Sequence, residues 1–274
     1  MKKIFYSILV FLLILLNFST VCADDVDNEV DFEDTIEVTA SNVSELPKTN
    51  SRRYIVYDRI SKSMIIGKNE DIKSAMASTT KIMTTIVILE KADLNETVTV
   101  SAKAGGTGGS RLGLKRGDKA SVRDLLYGLM LRSGNDAAVA LAEHVGGSVK
   151  EFAELMNEKA IELGLTNTHF VTPHGLDDAN HYTTALELAK LTDYAMNNET
   201  FSKIVGTKSI TIYINNQPRQ INNTNELLGV LNGVVGVKTG FTNNAGRCLV
   251  TETKRNNMDI ITCLLYTSDA ADDK

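Results

Sequence analysis

Residues 52–68, RRYIVYDRISKSMIIGK, place β-branched and aromatic side chains on either side of a short turn. That pattern predicts two strands, 52–58 and 63–68. The chain then changes character. In AMASTTKIMTTIVILEKAD, residues 75–93, a cluster of hydroxyls opens an apolar helix. Ser121 with Asp124, Ser148 with Glu151 and Thr184 with Glu187 each resemble a capping box, and each precedes a helical pattern. A further helical stretch, AAVALAEHV, stops at Gly146-Gly147, and the one after Ser148 ends at Gly164. Strands return late in the chain. SITIYI is followed by the turn-like NNQP, and then GVVGVKTGF, GRCLVTET and MDIITCLL read as three successive strands, the last two joined by the tight turn KRNN. Strands at both ends with helices between predict an α+β fold. The terminal segments share one antiparallel sheet, and a helical block lies beside it. A doubly wound parallel sheet would need regular strand–helix alternation, which is missing.

With 274 residues and 43% hydrophobic content, the chain can bury a sizeable core. Its first residues stand apart from that core. Two lysines, an apolar run from Ile4 to Leu16 and the small residues ending at Ala23 describe a secretory signal peptide, residues 1–23. The run falls short of the roughly 20 apolar residues a membrane-spanning helix needs. Cys22 lacks the preceding residues of a lipoprotein site. Between Asp24 and Glu37 lie eight acidic residues and no basic one, so the net charge of −5 is local. Residues 24–50 read as a solvated acidic leader. No basic patch or aromatic platform suggests nucleic-acid binding. Beyond the leader only Cys248 and Cys263 remain, on the two arms of one predicted hairpin, with buried thiols expected rather than a disulfide framework.

Three polar clusters interrupt the predicted elements: Ser78-x-x-Lys81, Ser133-Gly134-Asn135 between two helices, and Lys238-Thr239-Gly240 on a late strand. Ser78 and Lys81 fall one helical turn apart on one face. One reading is a helix that starts in a polar cluster; the other is a nucleophile beside its own base. Acyl transfer needs such a pair, a proton path to the leaving group and donors for an oxyanion. Lys81 can serve as base only if burial or a second cation lowers its pKa, and Lys238 is a candidate for that cation. Ser133 can relay a proton, and Asn135 can bond both Lys81 and a substrate backbone. The late strand can pair with an extended peptide. Gly240 permits close approach there, and the backbone N–H groups of Ser78 and Phe241 can form an oxyanion hole.

S-x-x-K, S-x-N and K-T-G together form the motif set of penicillin-binding proteins and serine β-lactamases. The surrounding stretches GGSRLGLKRGD (108–118), DLLYGLMLRSGNDAAVALAEHVGGS (124–148), THFVTPHGLDDANHYTTALELAKL (168–191) and GVKTGFTNNAGRCLV (236–250) resemble the low-molecular-weight D-alanyl-D-alanine carboxypeptidases. The resemblance covers about residues 51–265. It implies the β-lactamase/transpeptidase-like fold, with the active site between sheet and helices. It also implies an exported serine hydrolase that removes the terminal D-Ala from peptidoglycan stem peptides on the outer side of a bacterial membrane. β-Lactams would acylate the same Ser78, and Lys238 and Thr239 would hold the substrate carboxylate. No metal or organic cofactor is implied. Residues 266–274 do not match the family, so the catalytic domain is expected to be incomplete at its C-terminal end.

Other readings compete with this one. A class A β-lactamase would carry an E-x-x-x-N segment between Asn135 and Lys238, and none occurs. A β-lactam or wall-binding sensor would acylate without turnover, which intact motifs disfavour. His169, His174 and His181 lack the spacing of a helical zinc site, and their segment reads as a structural loop edging the site. His144 falls at a helix end, where its charge would suit the dipole. GGTGGSRLGL (105–114) lacks the ending of a phosphate-binding loop and is expected to be a flexible loop near the cleft.

Overall fold

The computed structural model describes residues 49–267. The expected signal peptide, most of the acidic leader and the last residues of the tail lie outside that range. Strands β1 (Ser51–Asp58) and β2 (Ser63–Lys68) pair antiparallel, as the opening stretch implies. The late strands are β7 (Val234–Thr242), β8 (Gly246–Arg255) and β9 (Met258–Thr267). All five form one antiparallel sheet in the order β2-β1-β9-β8-β7. The two ends of the described chain therefore meet at its middle, with Tyr54 opposite Leu264 and Tyr57 opposite Ile261. Strand periodicity fixes the face that meets the helices: Ile55, Tyr57, Val250, Ile261, Cys263 and Leu265 all join the main core. At the β8–β9 turn Asn256 and Asn257 hold φ of 47° and 61°, a conformation asparagine tolerates better than most residues.

The helical block centres on α1 (Lys81–Lys91), whose Ile82, Met83, Ile86, Val87 and Ile88 are all buried. A helix apolar on every side belongs inside a core. Each such side chain contributes about 1.5–3 kcal/mol by leaving water. Around it stand α3 (Val122–Leu131), α4 (Asn135–Gly146), α5 (Val149–Glu162) and α6 (Ala185–Met196). The caps read from sequence are made: Ser121, Ser148 and Thr184 accept from the N–H of Asp124, Glu151 and Glu187. His144, near the end of α4, pairs with Glu96 at 2.7 Å.

Smaller elements escaped the sequence patterns. They are β3 (Thr97–Thr99) paired with β4 (Lys119–Ser121), α2 (Ala102–Gly105) and α7 (Glu199–Val205). The turn after β5 (Ser209–Ile214) is tighter than NNQP implies. It uses Asn215 and Asn216, and Pro218 already lies in β6 (Gln217–Asn222). A two-stranded pair has a free edge on each side, so a proline without an N–H is tolerated there.

An ion network locks the sheet to α6. Arg59, just after β1, donates to Asp193 (2.9 Å), to Asp259 (3.0 Å), to Asn197 (2.9 Å) and to Glu252. Burial first, then its contact with Asp259, holds the Glu252 carboxyl up at about 7. Cys248 and Cys263 do lie on the two arms of the β8–β9 hairpin, but Val250 stands opposite Cys263, and no bridge joins the two buried sulfurs. Among the described residues no helix is long and apolar enough to cross a membrane.

Candidate active site

The hydroxyl cluster that opens α1 does not cap it. Residues Ala77–Thr80 form a 3-10 turn, and neither that turn nor α1 has a side-chain cap. The hydroxyls point backwards instead: Thr79 donates to Met76 O at 2.6 Å and Thr80 to Ala77 O at 2.7 Å. Ser78 differs from both. Its Oγ lies 2.9 Å from the Nζ of Lys81, one turn on.

Lys81 is fully buried, and its amine has two further partners: Asn135 Oδ1 at 2.9 Å and the backbone oxygen of His174 at 2.8 Å. Among the described residues no carboxylate pairs with it. Burial, and then the Lys238 ammonium, push its pKa well below the usual lysine value, against a smaller opposing pull from Asp136. Lys238 is itself buried, which brings it down to about 7, and it donates to Thr239 O at 2.9 Å. Lys238 thus depresses the charged state of Lys81, whereas the shift of Lys238 itself comes from burial.

The remaining residues stand around this pair. Ser133 adopts φ 56° between α3 and α4, and its buried Oγ has no hydrogen-bond partner among the described residues. A buried hydroxyl without a partner is costly. β7 is an edge strand, so half of its backbone groups face away from β8. At Gly240 that edge runs against the Ser78 turn, where an added Cβ would lie 3.0 Å from Ser78 N. The glycine thus serves packing within the protein as well as access. Thr239 Oγ1 lies 3.0 Å from Thr224 Oγ1, and Phe241 is exposed with its ring 5.7 Å from the Arg247 guanidinium.

A family model described as D-alanyl-D-alanine carboxypeptidase, peptidase S11, matches residues 39–268. The chain belongs to this family. It is 37% identical over 220 residues to the D-alanyl-D-alanine carboxypeptidase DacF of Bacillus subtilis, covering 78% of this chain and 57% of the relative. DacC of Escherichia coli is 38% identical over 250 residues, covering 82% and 59%. The chain thus spans under two thirds of the length of these curated relatives. Among solved structures, the Streptomyces K15 DD-transpeptidase superposes with a TM-score of 0.78 at 34% identity, covering 81% of this chain and 92% of that one. A putative penicillin-binding protein homologue from Mycobacterium tuberculosis gives 0.80 at 32%, covering 85% and 89%. The fold is the transpeptidase fold of these family members.

All three sequence clusters converge, and Ser78, Lys81 and Asn135 form one bonded chain. The site in this chain is also held by residues outside the three clusters. Asp136, fully buried in the first turn of α4, accepts from Leu112 N (2.8 Å), Gly113 N (2.7 Å) and Leu114 N (2.9 Å). Asn135 donates from Nδ2 to Gly108 O and from its backbone N to Ser110 O, each at 2.8 Å. The 105–114 segment does border the cleft, but these bonds pin it, contrary to the flexibility expected from its glycines. A lone acid at the start of the apolar helix NDAAVALA was the signal available in the sequence. The histidine loop does edge the site, and it touches Lys81 through the His174 carbonyl rather than an imidazole. Burial above all holds His174 down at about 3 and His181 at about 4, so both rings are neutral near pH 7.

Proposed function

We propose that this chain is a serine D-alanyl-D-alanine carboxypeptidase that releases the terminal D-Ala from peptidoglycan stem peptides through an acyl-enzyme on Ser78. The observation that carries it is the environment of Lys81. Two of its three partners, Asn135 Oδ1 and His174 O, are carbonyl oxygens that only accept. A neutral amine has two N–H groups, which these carbonyls take up, so its lone pair is left for the Ser78 hydroxyl. The lowered pKa of Lys81 makes that neutral form accessible.

Chemistry follows from this arrangement. Lys81 takes the Ser78 proton as Oγ attacks the carbonyl of the D-Ala-D-Ala bond. The N–H groups of Ser78 and Phe241 receive the oxyanion. The C–N bond then breaks, and the proton passes from Lys81 through Ser133 to the departing amine. Water hydrolyses the acyl-enzyme and frees Ser78. The leaving D-Ala carries a free carboxylate, which Lys238 and Thr239 bind. Lys238, near its titration point at about 7, gains its proton more firmly when that anion arrives. The edge of β7 near Gly240 pairs with the extended peptide. β-Lactams, whose amide stands in for the scissile bond, acylate the same serine.

The substrate is a wall polymer, so the enzyme acts on the extracytoplasmic face of the envelope, and residues 1–23 serve as its export signal. The test is D-Ala release from a peptide ending in D-Ala-D-Ala. Wild type releases it and Ser78→Ala does not; equal release by both would overturn the proposal.

A further inference from the structure

One buried imidazole beside the Ser78 turn takes no part in the chemistry above. His181 lies on the loop before α6, with its Nε2 2.7 Å from Thr80 Oγ1. Its Nδ1 faces two backbone donors, Val171 N at 3.0 Å and Thr172 N at 3.4 Å. Nδ1 therefore accepts, and the ring's one proton sits on Nε2, where it is donated to Thr80 Oγ1. Thr80 in turn donates to the oxygen of Ala77 at 2.7 Å. The chain of bonds is directional at every step. It ends on the residue just before Ser78.

Ala77 needs holding. Its φ of 47° is a left-handed conformation that residues with a Cβ disfavour. Contacts around the ring keep it in place: Phe170 packs edge-on at 5.7 Å between centroids. Burial also keeps the imidazole neutral, with its pKa at about 4, so the tautomer persists through the neutral range.

We propose that His181 is a positioning residue: its Nε2–H, relayed through the Thr80 hydroxyl, holds Ala77 left-handed and so sets Ser78 Oγ against Lys81. The role rests on the assignment of Ser78 as nucleophile. Asparagine at 181 keeps an acceptor near the Nδ1 position but loses the donor to Thr80. Glutamine places an amide N–H near the Nε2 position. Thr80→Val removes the relay while keeping the shape.

The experiment measures the acylation rate constant by a fluorescent penicillin, alongside thermal unfolding, for wild type, His181→Asn, His181→Gln, Thr80→Val and the Thr80→Val/His181→Asn double variant. Loss of one buried hydrogen bond in the turn that carries Ser78 predicts about a tenfold slower acylation in His181→Asn and in Thr80→Val. The double variant is no slower than the slower single one, because one relay is broken in each. Glutamine restores the rate to within about threefold of wild type. Wild-type rates in the folded single variants, or losses that multiply in the double variant, would overturn the role. If His181→Asn does not fold, Thr80→Val decides alone: a slowed rate supports the relay and an unchanged one refutes it. A folded wild type that takes no label would overturn the Ser78 assignment and this role with it, and that failure is recognisable because no variant enters into it.

Discussion

Gly175→Ala adds one methyl group where the structure leaves no room. Gly175 holds φ 84°, and a Cβ there would lie 1.9 Å from Ala77 O and 2.6 Å from Thr80 Oγ1. Ordinary contact begins near 3.4 Å, so about 1.5 Å must come from moving the histidine loop or the Ser78 turn. The left-handed backbone alone costs an L side chain about 1–2 kcal/mol. The overlap adds about 1–3 kcal/mol of overpacking. Either movement disturbs the Lys81 site, because His174 O on that loop is bonded to the amine. Misplacement by 1 Å can cost about a hundredfold in rate. Gly175→Ala is therefore expected to lose about 2–5 kcal/mol in urea unfolding and about a hundredfold in acylation by a fluorescent penicillin. Gly164→Ala is the control. Its φ is 68° with nothing within 4 Å of the added methyl, so the backbone cost is isolated from the clash. That variant should lose about 1–2 kcal/mol and acylate normally. Wild-type acylation by Gly175→Ala, or equal losses at the two glycines, would refute the reasoning.

Asp136→Ala orphans the three backbone donors at Leu112, Gly113 and Leu114. At about 1–3 kcal/mol for each, urea unfolding should show a loss of at least 3 kcal/mol, and a loss under 1 would contradict it. Glu252 keeps a proton in the folded state up to about 7, against an ordinary value of 4.5. Its stabilising contribution is therefore full below 4.5 and disappears as pH rises through 7. Glu252→Gln should flatten the fall in stability over that window, measured by unfolding at a series of pH values; an unchanged slope would contradict this. Lys238→Met removes the second cation that depresses Lys81. The rising limb of the acylation pH profile should move to higher pH, and a limb that stays in place would show that Lys238 does not act on Lys81.

The sheet was legible in the sequence because β1, β7, β8 and β9 carry strand periodicity and the Asn256-Asn257 turn. The capping boxes at Ser121, Ser148 and Thr184 marked three helices for a local reason, since a cap is made within four residues. α7 and β3 were hidden because each is short and owes its form to packing rather than to its own pattern. The three polar clusters stood out because serine, lysine and asparagine are unusual in otherwise apolar elements. What stayed invisible depends on distant contacts. His174 acts through a carbonyl that any residue could present, and Gly240 matters for the closeness of Ser78, 162 positions away in the chain. The depressed pKa of Lys81 follows from complete burial, which only the assembled fold provides.

The most direct test of Ser78 as the nucleophile is peptide mapping by mass spectrometry after exposure to benzylpenicillin. A single adduct on the peptide containing Ser78, absent from Ser78→Ala, is the predicted result. An adduct on another residue, or none on a wild-type protein shown to be folded, would contradict the account.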